Sequence, residues 1–390
     1  MSLMEPGRST LQLPFGSAST GSVHLRSQAW SFLIVSSATV CVAYADYLVK
    51  SISLGYLYIL PLSLSAILLS RGVSFALIGL CVFFHDLFGP PYPSIQARIA
   101  HNLTALVAFV FAVLLLQRFV AQRNSLFDLV RQQRDELVKE VGLAAQVQKL
   151  FLPTSSPAVP GFDIAAVMYP VGGVGGDYYD YIPFSNGSLG LVIADVSGKG
   201  VAAALLMSAT AATIRFETSE THSLGDMVNR LNRELHALPS NSHFVTLLLG
   251  ELDPRSRRLK CVNCGHNPAL LLRAASGDAS WLPSSCVPLG LFETVTCQPE
   301  VIDLEPGDVM VWYTDGLTEA VDAQGREFGR DGLLENVRNN RGMSAEEIVN
   351  GLYSAAIAFN RGETLADDLT IMVIRVDSID PSPGDETKIL

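Results

Sequence analysis

Aspartate recurs at four places in this chain, each time beside small or apolar residues. The clusters are Gly175-Gly176-Asp177-Tyr178-Tyr179-Asp180, Ala194-Asp195-Val196-Ser197-Gly198-Lys199-Gly200, Thr314-Asp315-Gly316 and Asp367-Asp368. Three of them adjoin runs that read as β-strands, at 189–194, 309–313 and 369–374. Aspartates at the mouths of several strands can converge on one point of a fold. Such a cluster repels itself unless cations neutralise it, and all-oxygen ligands suit Mg²⁺ or Mn²⁺. The implied chemistry is that of a metal-dependent enzyme acting on phosphoryl groups. Taken singly, each cluster has a plainer reading: an Asp-Gly pair is usually a turn, and Asp367-Asp368 a solvated loop.

Short strands and a few helices must position these carboxylates. Strand candidates are 162–169, 178–183, 189–194, 246–252, 259–263, 269–272, 309–313 and 369–376. Helix candidates are 201–216, 224–238 and 344–358, the last opened by Ser344 with Glu347 three residues on, a capping box. Runs of strands broken by helices predict an α+β domain over 153–377.

The rest of the chain has another character. Hydrophobic residues make up 49% of its 390 and charged residues only 17%, with the apolar excess between Trp30 and Val120. Four apolar stretches, at 30–49, 55–70, 73–88 and 99–120, predict an all-α transmembrane domain of about four helices over 28–120. A span takes ~20 apolar residues, and the second and third stretches are short. A buried soluble bundle is the alternative, but these stretches lack the polar face it would show. Residues 1–27 are Ser/Gly/Pro-rich and read as a disordered tail, and 378–390 as a polar one. Arg118, Arg123, Arg131 and Arg134 follow the last span. With an even span count they predict both termini, and the acidic domain, on the cytoplasmic side of the inner membrane. Asp46, His85, Asp86, His101 and Asn102 fall in or near the spans. They are either span-end groups solvated at the interface or a ligand or signal site.

Between the halves, 121–152 reads as one linker helix. Leu126, Val130, Leu137, Val141, Ala144 and Phe151 share a face, interrupted at Gln133. The stripe suits a homodimer coil or an amphipathic helix packed on the next domain. A net charge of −11 argues against a nucleic-acid partner. The six cysteines show no disulfide framework, which suits a reducing compartment. Cys261-Val262-Asn263-Cys264-Gly265-His266 lacks the second Cys pair of a zinc site and reads as strand-end cysteines.

From about Gln146 to Val376 the motifs resemble, in order, those of SpoIIE/RsbU-type protein serine/threonine phosphatases of the metal-dependent PPM superfamily. The lead-in helix 145–153 ends in Leu152-Pro153. Gly176-Asp177-Tyr178-Tyr179-Asp180, Asp195-Val196-Ser197-Gly198-Lys199-Gly200, Asn263-Cys264-Gly265-His266-Asn267-Pro268, Thr314-Asp315-Gly316-Leu317-Thr318-Glu319-Ala320 and Asp367-Asp368-Leu369-Thr370 follow. Cys264 stands where the family has Ala. The resemblance implies an αββα sandwich holding two divalent cations, Mn²⁺ or Mg²⁺. Asp195 would bridge them with help from the Val196 carbonyl, Asp315 and Asp367 would hold the first, and Asp177 would approach the second. Asp180 and Asp368 would orient turns. His266 reads as a turn stabiliser or a general acid, and Lys199 as a phosphate contact or a loop cap. The implied substrate is a phosphoserine or phosphothreonine on a partner protein, such as a STAS-domain anti-sigma-factor antagonist. The competing readings are a sensor whose phosphatase-like domain only binds, against which the intact aspartates argue, and a nucleotide cyclase.

Overall fold

The computed structural model describes residues 20–49, 54–88, 91–219, 223–238, 243–361 and 365–377. The tails expected at 1–19 and 378–390 lie outside the described residues. Two compact units divide the chain between Asp135 and Glu136.

The first unit is helical. It contains α1 (Thr20–Leu48), a 3-10 turn (Gly55–Tyr58) leading into α2 (Ile59–Leu68), α3 (Arg71–Phe88) and the first part of α4 (Ile95–Lys149). Helix α1 takes in residues 20–27, which composition had assigned to the tail. No proline between Thr20 and Leu48 stops it. Among the described residues three segments are long and apolar enough to cross a membrane: Ala29–Leu48, Arg71–Phe88 and Ile95–Lys149. The fourth apolar segment, Gly55–Leu68, is helical but short. At 1.5 Å per residue it rises roughly 21 Å against a hydrocarbon core of about 30 Å. Among the described residues the even span count expected from sequence therefore lacks its fourth full-length helix. Ala43, Tyr58, Leu62, Ile78, Cys81, Phe109 and Val113 form the unit's core. Phe32, Leu33, Phe83, Phe111 and Leu115 point outward. So much outward apolar surface suits lipid better than water.

The second unit is a four-layer sandwich. One antiparallel sheet has the order β1-β10-β9-β6-β7, from Phe162–Tyr169, Leu369–Val376, Val309–Tyr313, Ala269–Leu272 and Ala279–Leu282. The other has the order β2-β3-β4-β5-β8, from Tyr178–Pro183, Leu189–Val196, Val245–Asp253, Arg258–Cys264 and Glu300–Asp303. Alternation along the strands sends one side-chain set between the sheets and the other outward. Ile164, Leu191, Ile193, Leu248, Trp312 and Met372 fill the inter-sheet layer. The second sheet's outer face, with Val192, Ala194 and Leu247, is covered by α5 (Val201–Ser219) and α6 (Leu224–His236). The first sheet's outer face, with Val311, Ile371 and Val373, is covered by α8 (Gly329–Asn340) and α9 (Ala345–Phe359). The capping box of Ser344 and Glu347 opens α9.

Helix α4 runs on without a proline and stops at Lys149, three residues short of the expected end. Leu150 and Phe151 turn the chain toward Pro153. Sequence had given no sign of β7, β8, α8 or the short α7 (Asp315–Thr318).

Candidate active site

Asp177 immediately precedes β2 and is almost fully buried. Its Oδ2 accepts hydrogen bonds from the Thr314 hydroxyl at 2.7 Å and the Thr370 hydroxyl at 2.6 Å. Those threonines belong to the other sheet, Thr314 just after β9 and Thr370 in β10. They are tied to each other, Thr314 N to Thr370 O at 3.0 Å and Thr370 N to Thr314 Oγ1 at 2.8 Å. One carboxylate thus pins the ends of both sheets together.

Asp195 and Val196 close β3 on the neighbouring strand. The Val196 amide donates to the Gly176 carbonyl at 3.3 Å. A Cβ on Gly176 would lie 2.6 Å from the Val196 carbonyl oxygen and 3.5 Å from Asp195 Oδ1. Only glycine lets the Asp177 loop approach β3 this closely.

Asp315 opens α7 with Thr314 as its N-cap, so it sits in a helical first turn rather than in the bare turn that Asp-Gly suggests. Asp367 and Asp368 lead into β10. Asp368 is spent on the backbone: its Oδ1 accepts from Val171 N at 2.7 Å and its Oδ2 from Gly176 N at 2.8 Å. Lys199 Nζ meets Asp367 Oδ2 at 2.7 Å and donates to the Ala366 carbonyl at 2.8 Å.

The carboxylates feel one another. Asp195 is pushed up to about 7, first by burial and then by the charges of Asp315, Asp367 and Asp368. Asp177 is raised by burial and then by Asp195. Asp315 is raised by burial, then by Glu319 and Asp367. The structure thus gathers Asp177, Asp195, Asp315 and Asp367, with Val196, at one end of the two sheets.

A supporting layer surrounds these carboxylates, and of it the sequence had marked only Asp180, as a residue that orients a turn. The Gln148 amide, near the end of α4, clasps the Gly175 backbone: Nε2 donates to the carbonyl at 2.6 Å and Oε1 accepts from the amide at 3.2 Å. Asp180 accepts from the Tyr178 hydroxyl and from Arg215 Nε, both at 2.6 Å, and from Tyr181 N at 2.8 Å. Arg215 also donates to the Phe151 carbonyl at 2.9 Å. Asp180 therefore braces α5 against the start of the domain.

His266 is buried in its turn. Its amide donates to Asn263 Oδ1 at 2.8 Å, and its Nδ1 pairs with Thr246 Oγ1 at 2.8 Å, opposite Asp195 on β4. Burial pushes its imidazole down to about 4. It is therefore neutral near pH 7, which suits a turn stabiliser better than a proton donor. The unfolded chain, with an ordinary value near 6.5, takes up a proton first as pH falls. This contribution to stability is complete above about pH 6.5 and is lost toward pH 4, by up to about 3 kcal/mol. Denaturant unfolding followed by tryptophan fluorescence should show wild type losing more stability than His266→Gln over that window. Parallel pH curves would contradict it.

The cysteines depart from expectation. Cys261 and Cys264 lie on β5 but serve different layers, the inter-sheet core and the α5/α6 side, so they do not converge. Cys286 and Cys297 instead form a disulfide, with the Cys264 sulfur within 4.8 Å. Backbone pairing of 285–289 with Asn263, Gly265 and Val245 folds that loop back on itself. Spacing alone gives no hint of such a pairing.

The donor set fits divalent cations. It is all oxygen, carries several negative charges held together against their repulsion, and has one lysine as partner. Asp177, Asp195, Asp315, Asp367 and the Val196 carbonyl are the residues that would hold them. Bound ions would supply charge screening for a phosphate dianion and a more acidic water.

Residues 185–377 match the family model described as Stage II sporulation protein E (SpoIIE). The chain is 27% identical over 286 residues to Protein IcfG of Synechocystis, covering 66% of this chain and 45% of that one. It is 26% identical over 288 residues to Phosphoserine phosphatase RsbU of Bacillus subtilis, covering 73% and 82%. The chain thus spans a little under half the length of the first of these relatives. Among solved structures, the SiaA PP2C domain of Pseudomonas aeruginosa superposes with a TM-score of 0.56 at 18% identity, covering 63% of this chain and 99% of that one. The RsbU and RsbW domains of Rv1364c from Mycobacterium tuberculosis give 0.50 at 27% identity, covering 60% and 64%. With its sandwich fold, its carboxylate cluster and these matches, the C-terminal half of the chain is a SpoIIE/RsbU-type protein serine/threonine phosphatase domain of the PPM superfamily.

Proposed function

We propose that the whole protein is a membrane-anchored phosphatase that hydrolyses phosphoserine or phosphothreonine on a partner protein. The observation that carries this is the meeting of aspartates from both sheets at one sandwich edge. In this reading Asp177, Asp195, Asp315 and Asp367, with the Val196 carbonyl, hold two divalent ions, Mn²⁺ or Mg²⁺. The chain's own contribution is positional. Thr314 and Thr370 fix Asp177, Gly176 gives room beside Val196, and Asp368 holds the Asp177 loop by its backbone. Lys199, largely exposed beside Asp367, is free to exchange that partner for a substrate phosphate oxygen when cations occupy the carboxylates.

The likeness to a protein named phosphoserine phosphatase supports the substrate class. An anti-sigma-factor antagonist is the partner this reading favours. The apolar α1, α3 and α4 support insertion in the inner membrane, and the arginines after the last span support a cytoplasmic catalytic domain. Leu126, Val130 and Leu137 stand exposed along α4, which supports pairing of two copies there.

The test is dephosphorylation of a phosphoprotein panel by the full chain in detergent with Mn²⁺. EDTA should remove activity to background and Mn²⁺ or Mg²⁺ should restore it. Turnover that survives EDTA would reject the metal-dependent reading, and binding without turnover would favour the non-catalytic module.

A further inference from the structure

The Cys286–Cys297 disulfide closes a loop that is tied by its backbone to the strands beside the carboxylate cluster. The Cys286 amide donates to the Asn263 carbonyl at 2.9 Å, and the Gly265 amide donates to the Cys286 carbonyl at 2.9 Å. Three residues on, Leu289 and Val245 exchange both backbone bonds, at 2.8 and 3.0 Å. Leu289 thus takes the place beside β4 that β5 vacates after Cys264. Val245 lies opposite Val196, and the next residue, Thr246, opposite Asp195. Pro288 presses on Gly265, where a Cβ would lie 2.3 Å from the proline ring. Further along, the Asn232 side chain on α6 donates to the Phe292 and Glu293 carbonyls at 3.0 and 3.2 Å.

The two bonded sulfurs differ in access. Cys297 is buried in the α5/α6 layer. Cys286 is half-buried and lines an open cleft of about 570 Å³, with Val287, Phe292 and Thr294 among its walls. Small-ligand clefts are commonly about 300–1,000 Å³. The Cys264 sulfur lies within 4.8 Å of both. Burial pushes its thiol up to about 12, so it is a poor nucleophile near neutral pH. A thiol that opens this disulfide therefore comes from the cleft and strikes Cys286.

The setting gives the bond a use. In a reducing compartment, disulfides are usually transient and redox-sensing. With the catalytic domain in the cytoplasm, as proposed above, this bond is one that is made and broken.

We propose that Cys286 is an exchange site for a small amino-acid or peptide thiol, and that the Cys286–Cys297 bond switches the order of the β4 edge beside Asp195 and Val196. The small thiolate attacks Cys286 Sγ and the Cys286–Cys297 bond breaks. Cys297 leaves with the electron pair and takes a proton from water. A second small thiol attacks the outer sulfur of the mixed disulfide and releases Cys286 as a thiol. Two small thiols are thus oxidised to one disulfide while the protein disulfide is reduced to two thiols, and the small disulfide reverses both steps. The oxidised form pins the loop, and reduction frees Leu289 from Val245. Oxidation therefore favours turnover. That last effect rests on the phosphatase reading, whereas the exchange and the loop release do not.

The test equilibrates the full chain, in detergent with Mn²⁺ and without oxygen, in glutathione buffers of graded reduced-to-oxidised ratio. Acid and an alkylating reagent stop the exchange, and peptide masses map the adducts. Wild type should pass reversibly from disulfide to dithiol as reduced glutathione comes into large excess. Cys297→Ser should carry close to one glutathione per chain on Cys286, and Cys286→Ser none on Cys297. Cys264→Ala should titrate as wild type. On reduction, hydrogen exchange at the Val245 and Gly265 amides should quicken at least tenfold and turnover should fall at least threefold. Cys286→Ser should show the lower turnover at every ratio. A disulfide that yields only after unfolding, glutathione on Cys297 in preference to Cys286, unchanged amide exchange on reduction, or equal turnover of an active enzyme in both states would overturn the proposal. Quickened amide exchange with no turnover in either state would support the switch and count against the phosphatase reading alone.

Discussion

Asp195→Asn is expected to remove at least about 100-fold of phosphatase activity while making the metal-free protein more stable. The first half follows from position. Asp195 closes β3 beside Val196 and feels the charges of Asp315, Asp367 and Asp368, and in the proposed reading it is the ligand the cations share. A metal contact contributes several kcal/mol to the transition state, and each ~1.4 kcal/mol is tenfold in rate. The second half follows from linkage. Without cations, Asp195 is pushed up to about 7 from an ordinary 3.8. The folded state then holds its proton more tightly than the unfolded one. Stability is full below about pH 3.8 and falls as pH rises toward 7, by as much as about 4 kcal/mol. Asparagine carries no charge and avoids that loss. At pH 8 with EDTA the variant should therefore melt higher than wild type, and Mn²⁺ should narrow or reverse the gap. Wild-type turnover in the folded variant would end the assignment. A lower melting point in EDTA would show that Asp195 is not under charge strain.

The sequence carried the parts whose signal is local. Strands such as Phe162–Tyr169, Ala269–Leu272 and Val309–Tyr313 have apolar runs bounded by turn residues, and their ends agree with the structure. The aspartates were legible because each sits next to a strand end or a glycine. The missed elements have the opposite character. Strands β7 and β8 have four residues each, and Glu300–Asp303 buries only Ile302. They exist because β6 and β5 offer them an edge. Helix α8 buries only Leu333 and Val337 and lacks a side-chain cap, so its pattern was weak.

The supporting residues were hidden for a different reason. Thr314 and Thr370 are 56 residues apart, and neither stands out until β9 and β10 pair. Gln148 lies in the lead-in helix, where a glutamine looks like any surface residue. Its partner is a backbone glycine 27 residues away. Long-range contacts between a side chain and the backbone leave no mark at fixed spacing. The cysteines teach the same point, since nothing in the spacing of Cys264, Cys286 and Cys297 shows that their sulfurs lie together.

Gln148→Ala is expected to lower turnover by about tenfold or more, and Gln148→Glu by more still. The amide clasps both backbone groups of Gly175, the residue before Gly176 and Asp177. Gly176 in turn holds Asp368 through its amide and Val196 through its carbonyl. Alanine leaves two buried backbone groups unmet, at about 1–3 kcal/mol each where water cannot enter. The Asp177 loop then relaxes away from β3, and a shift worth ~1.4 kcal/mol at the reacting groups is already tenfold. Glutamate still accepts from the Gly175 amide but turns an oxygen toward its carbonyl and adds a charge near the aspartates. Mn²⁺ titration should show weaker metal binding in both variants, and saturating Mn²⁺ should rescue alanine better than glutamate. In the proposed signalling role of α4, this contact would carry the helix's motion to the chemistry. Gln148 sits in the last turn of a helix that begins at Ile95 in the apolar unit, and rotating that turn would withdraw the amide from Gly175. Withdrawal would break two hydrogen bonds, a few kcal/mol, which is the size of bias a bound ligand can supply. Inserting residues after Arg134, which changes the helical phase, should then mimic Gln148→Ala. Wild-type rates and metal titrations in both Gln148 variants would reduce the clasp to a packing detail and leave α4 a spacer.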